Sequence, residues 1–162
     1  MTFLKSSVGL FWLTTLFVSN LAHANRDQDA LICVVDVASQ GKSHRKSHAK
    51  FYAELATTPN KQRQGLMFLQ SMADDQAMLF IYPKPHQVGF WMRNTLIPLD
   101  MLFFDDRGEL LEIKQNLPPC KTQHCPIYVA KNSNIKYVLE VNAGQSQLLD
   151  IQVGAQLYGC GR

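Results

Sequence analysis

Between Phe90 and Phe104 two apolar runs, one closing at Met92 and one opening at Leu99, flank a polar cluster that Pro98 interrupts. The second run, Leu99 to Phe104, is long enough to cross a sheet, and Asp105-Asp106-Arg107-Gly108 after it is a hairpin turn signal. Charged and amide groups held between two buried runs cost free energy unless they are paired or turned onto a ligand. The stretch therefore constrains the fold and marks the first candidate site.

The rest of the chain reads as further short strands. Leu31 to Val37 is β-branched and apolar, and Lys50 to Thr57 alternates apolar with polar residues. Together they predict a hairpin with a long polar loop over Ser39 to Ala49. Thr58-Pro59 is a helix start, with a capping hydroxyl and a proline suited to the first turn. That helix carries Asn60 to Met67 or Phe68, and Gly65 either ends it or lets another backbone approach. Met78 to Tyr82 is a strand stopped by Pro83 and Pro85, and Val88 to Met92 is another. Glu109 to Lys114 follows the turn, Asn116 to Ile127 is a loop, and Tyr137 to Val141 is a strand. Gln147 to Ile151 and Gln156 to Cys160 are short segments about Gly154. The sum is a mainly β fold, an antiparallel β-sandwich or partly closed barrel with one short α-helix. Too few helices exist to act as crossovers of a parallel sheet.

The N-terminus has the pattern of a secretory leader. Lys5 precedes an apolar run from Val8 to Val18, and Ala22-His23-Ala24 fits cleavage before Asn25. Residues 1–24 are thus expected to be removed, with residues 25–49 an N-terminal strand and basic loop and residues 50–162 one β domain continuing from it. The expected location is exported, periplasmic or secreted, with no stable membrane anchor after cleavage. All four cysteines follow the leader, as suits disulfides in an exported chain. Three pairings are open. Proximity favours Cys120 with Cys125, which leaves Cys33 with Cys160 to tie the domain ends. The net charge of +3 argues for no special partner. Lys42, Arg45, Lys46 and Lys50, with His44 and His48 among them, read as a solvated loop.

The ordered set of motifs resembles the domain of unknown function 192 family. The matching residues are Glu54-Leu55-Ala56, Arg63-Gln64-Gly65-Leu66-Met67, Met78-Leu79-Phe80, Phe90 to Thr95, Pro98-Leu99-Asp100, Gly108, Val138-Leu139-Glu140 and Gly144. The cysteine loop with Pro126 and Tyr128 looks like a variant of that family. Ala77 departs from it, standing where the family usually has glycine. The resemblance implies a jelly-roll-like β fold with one helix and no established activity.

Arg93, Asn94, Asp100 and Glu140 are the polar candidates, with Trp91 beside them. If their strands are neighbours, two carboxylates and an arginine suit a small polar ligand, and the indole suits a sugar ring. The structural alternative is a buried network, Arg93 pairing with Asp100 or Glu140 and Asn94 holding the turn before Pro98. The resulting expectation is a binding or accessory module for a small polar or carbohydrate ligand. The enzyme alternative is glycoside-type hydrolysis by Asp100 and Glu140. A second alternative is copper held by Met67, Met72, Met78, Met92 or Met101 with His86, although methionine in apolar runs more often fills cores. No nucleophile elbow, phosphate loop or dinucleotide fingerprint occurs, so no cofactor is expected. Aromatic-basic interleaving is missing, so no nucleic-acid partner is expected either.

Overall fold

A computed structural model describes residues 30–35 and 48–160. The leader expected over residues 1–24 and the basic cluster Lys42, His44, Arg45 and Lys46 lie outside the described residues. In chain order the elements are β1 (Ala30–Val35), β2 (His48–Ala56), α1 (Pro59–Gln64), β3 (Gln76–His86), β4 (Gly89–Trp91) and β5 (Leu99–Phe104). They continue with β6 (Leu110–Leu117), β7 (Ile127–Val129), β8 (Ile135–Asn142), α2 (Gln145–Leu148) and β9 (Gln156–Gly159). Seven strands form one sheet in the order β6-β5-β8-β3-β2-β1-β9, and β4 pairs with β7 in a small second sheet.

The large sheet curls into a half-barrel. Leu110 N donates to Ala155 O at 2.8 Å and Leu157 N to Gly108 O at 2.8 Å, so the start of β6 meets the approach to β9. The β5–β6 hairpin turns where the sequence predicts. Asp105 Oδ1 accepts from the amides of Arg107 and Glu109 at 2.9 and 2.8 Å. Gly108 sits at φ +80°, and a Cβ there would lie 2.9 Å from Leu157 O.

Period-two alternation gives the curled sheet two apolar faces. One carries Phe51, Leu79, Leu102, Phe104 and Leu139. The other carries Met78, Phe80, Met101, Phe103 and Val138, and is covered by the small sheet through Phe90. The Phe90 ring stands edge-on to Phe80 and Phe103, at 5.0 and 6.1 Å between centroids. Cys33 and Cys160 are at bonding distance with Cα atoms 5.6 Å apart, as are Cys120 and Cys125 with Cα atoms 5.8 Å apart. This is the pairing that proximity favoured.

Three local expectations are corrected. β3 runs through Pro83 and Pro85 to His86. Its ladder with β2 ends at Phe80, and its ladder with β8 is interrupted between Ile81 and His86. The prolines therefore sit where no partner asks for their missing N–H. β2 and β3 pair in parallel, whereas the other strand ladders among the described residues are antiparallel. The chain between them includes α1, which serves as the crossover. The segment expected about Gln147 holds a second short helix, α2. Ala77 sits inside β3 opposite Ala53, with no turn there that needs glycine.

Candidate functional site

Glu140 lies in β8, opposite Met78 of β3 and Met101 of β5. Directly opposed residues share a face, so its side chain joins the face covered by the small sheet. Glu140 is 4% exposed. Burial is the cause that pushes its carboxyl up to about 8. Among the described residues no group donates a hydrogen bond to that carboxyl. The carboxyl is thus mostly protonated at neutral pH. Burial, and after it the charge of Glu140, pushes the nearby Tyr82 hydroxyl up to about 12.

Above Glu140 opens a cleft of about 190 Å³. Residues 62–67 line one wall, Phe80 and Tyr82 of β3 and Phe90 and Trp91 of β4 the other, and Thr95 also lines the cleft. The first wall is fixed from both sides. Thr58 caps α1 by accepting from Lys61 N at 3.3 Å. Gln62 Nε2 donates to Ala56 O and Ile81 O at 3.1 and 2.9 Å, which pins α1 over the parallel β2–β3 pair. Beyond α1, Phe68 N donates to Asn94 O at 2.8 Å, and Met67 bridges Thr95. Gly65, at φ +49°, turns the chain between these anchors, and a Cβ there would sit 3.4 Å from Phe80 Cζ. A side chain there would stand in contact with the Phe80 ring, and the positive φ favours glycine.

Asp100 is turned the other way. Its cross-strand partner is Val141, one residue along from Glu140, so the sheet puts the two carboxyls on opposite faces. Asp100 is fully buried and accepts from Asn116 N at 2.8 Å, Gly144 N and Ser146 N at 3.0 Å, and Ser146 Oγ at 2.7 Å. These bonds tie the end of β6 and the start of α2 to β5. Hydrolysis by paired carboxylates requires both to flank one bond, and Asp100 and Glu140 do not share a cleft.

The remaining candidates divide. Trp91 is at the cleft rim, 46% exposed, with Arg93 Cζ 6.0 Å from its ring centroid. Arg93 is exposed and makes no ion pair with Asp100 or Glu140 among the described residues. Asn94 holds the turn with φ 58°, through its backbone. Met78, Met92 and Met101 are buried in one apolar cluster, with Met72 packed against it. Met67 reaches the cleft, while His86 is exposed with its ring edge-on to Tyr82 at 4.7 Å. Among the described residues no three His, Cys, Asp or Glu side chains gather to hold a metal ion. Within the wall over residues 62–67, sequence reasoning gave a site role to Met67 alone, as a copper ligand. The signal for the rest was the Arg63-Gln64-Gly65-Leu66-Met67 motif, with a glycine that either ends the helix or lets another backbone approach.

The chain is of the class of small β proteins built as a curled half-barrel with a small second sheet. Within it, the chain belongs to the domain of unknown function 192 family, described as an uncharacterized ACR, whose profile matches residues 41–159. A crystal structure of a protein of unknown function from Novosphingobium aromaticivorans is 30% identical, with a TM-score of 0.68 over 79% of this chain and 83% of that one. A protein from Sinorhizobium meliloti, provisionally described as a transcription regulator, is 34% identical, with a TM-score of 0.67 over 82% of this chain and 95% of that one. No curated protein matches the chain.

Proposed function

We propose that this chain is an exported binding module that holds a small polar ligand in the cleft over Glu140. One observation carries the reading: a carboxyl 4% exposed, with no hydrogen-bond donor among the described residues, forms the floor of an open cleft. A largely buried acid that opens onto a cleft is a group a ligand can pair. Asp100 in the same sheet is fully satisfied, so the fold can pair a buried carboxylate where only packing is at stake. The volume suits a ligand of about one ring, since a cavity of about 150 Å³ holds benzene. Drug-sized pockets start at about 300 Å³.

Thermal-shift screening of the parent and Glu140→Gln against monosaccharides, amino acids and small amines tests the proposal. A ligand that raises the melting temperature of the parent and not of the variant supports it. Identical responses of both proteins across the panel overturn it. A carbohydrate ligand is the second reading, favoured by the half-exposed indole of Trp91 at the rim. Stacking of a sugar would change Trp91 fluorescence, and its absence with every sugar tested removes that reading. Export rests on the leader pattern, on the two cysteine pairs at bonding distance, and on compatibility with the described residues, none of whose helices is long and apolar enough to cross a membrane. Sequencing the mature N-terminus tests it, with Asn25 expected as the first residue.

A further inference from the structure

We infer that the cleft takes a small organic ammonium ion, with Glu140 as its counter-ion and the rings of Phe80, Tyr82, Phe90 and Trp91 as its walls. The inference rests on the reading of the cleft as a ligand site and names the chemistry of the ligand. Aromatic faces carry negative charge density and attract cations, most strongly where water is excluded. Here four rings and one carboxyl line the same small space. The charged or titratable groups facing Glu140 are few. β3 supplies Tyr82 and α1 supplies Arg63, while β5 supplies Met101, β4 its two aromatic residues, and the turn before β5 Thr95. The Arg63 guanidinium is exposed and is held by the Asn60 side chain. Arg93 stands by Trp91 at the rim.

No protein cation therefore neutralises Glu140, and its own proton does so when the cleft is empty. An anionic ligand would meet a carboxyl and four aromatic side chains with no cation on the floor. A neutral ligand would leave the proton in place. An ammonium ion replaces it. The Glu140 O–H bond breaks, the proton goes to solvent, and the carboxylate pairs with the bound cation.

Calorimetric titration with choline chloride and with ethanolamine hydrochloride tests the inference, with 3,3-dimethylbutan-1-ol as the uncharged analogue of choline. At least one cation is expected to bind about tenfold or more tightly than the alcohol, given the loss of one charge–charge contact. Its affinity should rise about tenfold per pH unit as Glu140 ionises and level off above pH 8 or so. Titration at neutral pH in buffers of different ionisation enthalpy should show release of close to one proton. Glu140→Gln should lose the pH dependence and most of the affinity while melting no lower than the parent. Trp91→Ala should weaken both cations. Equal binding of the alcohol and the cations, or cation binding indifferent to pH, overturns the ammonium assignment. Binding of a sugar or amino acid with no binding of either cation overturns it too, yet leaves the cleft as a ligand site. Failure of every probe to distinguish parent from Glu140→Gln overturns both.

Discussion

Glu140 keeps its proton in the folded protein up to a pH of about 8, against an ordinary value of 4.5. Between those two values the folded chain holds a proton that the unfolded chain has released. Raising the pH across that window therefore favours unfolding. Stability is complete below the lower value, falls by about 1.4 kcal/mol per pH unit through the window, and is flat above it. The parent, measured relative to Glu140→Gln, should thus lose melting temperature from about pH 5 to about pH 8. Parallel melting curves for the two proteins would remove the buried-carboxyl account. Asp100 is held by packing and pairing instead, its oxygens occupied by amide and hydroxyl donors. Asp100→Asn turns a donor toward those donors and should cost about 3 kcal/mol in a denaturant titration. Ligand response at the cleft should survive in that variant. Arg93→Ala removes an exposed side chain without an ion pair among the described residues, so its stability should stay within about 0.5 kcal/mol of the parent. A larger loss would mean that Arg93 holds more than its contact with Trp91.

α1 and the turn after it decide whether the cleft exists. Gly65 combines φ +49° with ψ −140°, a region that residues with a side chain avoid, and its missing Cβ faces Phe80. Gly65→Ala should lower stability by about 1–3 kcal/mol and weaken any ligand that enters between α1 and Phe80. Unchanged unfolding and unchanged binding would show that the wall tolerates a side chain. The helix start was legible because Thr58-Pro59 is a local signal, and so was β5 with its Asp105 to Gly108 turn. The extent of β3 was not, because the proline rule concerns paired positions and pairing depends on strands far away in sequence. The site was half legible for the same reason. Alternation fixes which residues of one strand share a face, so Asp100 and Glu140 each looked inward on their own. Whether two strands present the same face depends on register, and Asp100 meets Val141 rather than Glu140. The wall over residues 62–67 reaches the cleft through a parallel crossover that no local pattern announces.

At the scale of the whole molecule, the β9 edge of the half-barrel is held by a covalent bond as well as by hydrogen bonds. β1 lies between β2 and β9, and Cys33 stands opposite Tyr158 in the β1–β9 ladder, two residues from Cys160. The Cys33–Cys160 bridge spans 127 positions of sequence, while Cys120–Cys125 spans 5. A cross-link removes more freedom from the unfolded chain the longer the loop it closes, so the chain-entropy account assigns about 5 kcal/mol to the first and about 2 kcal/mol to the second. β9 is a four-residue edge strand whose ladder runs along β1. Without the long bridge it depends on that ladder and on the bonds from Gly108 and Leu110 to residues 154–157. Replacing Cys33 and Cys160 together by serine should lower the melting temperature of the oxidised protein by roughly 10–20 °C, and replacing Cys120 and Cys125 by about half as much or less. Reduction of the parent should reproduce the sum of the two. The reverse order would place the main constraint in the small loop beside Arg93, and β9 would then be held to the sheet by its pairing alone.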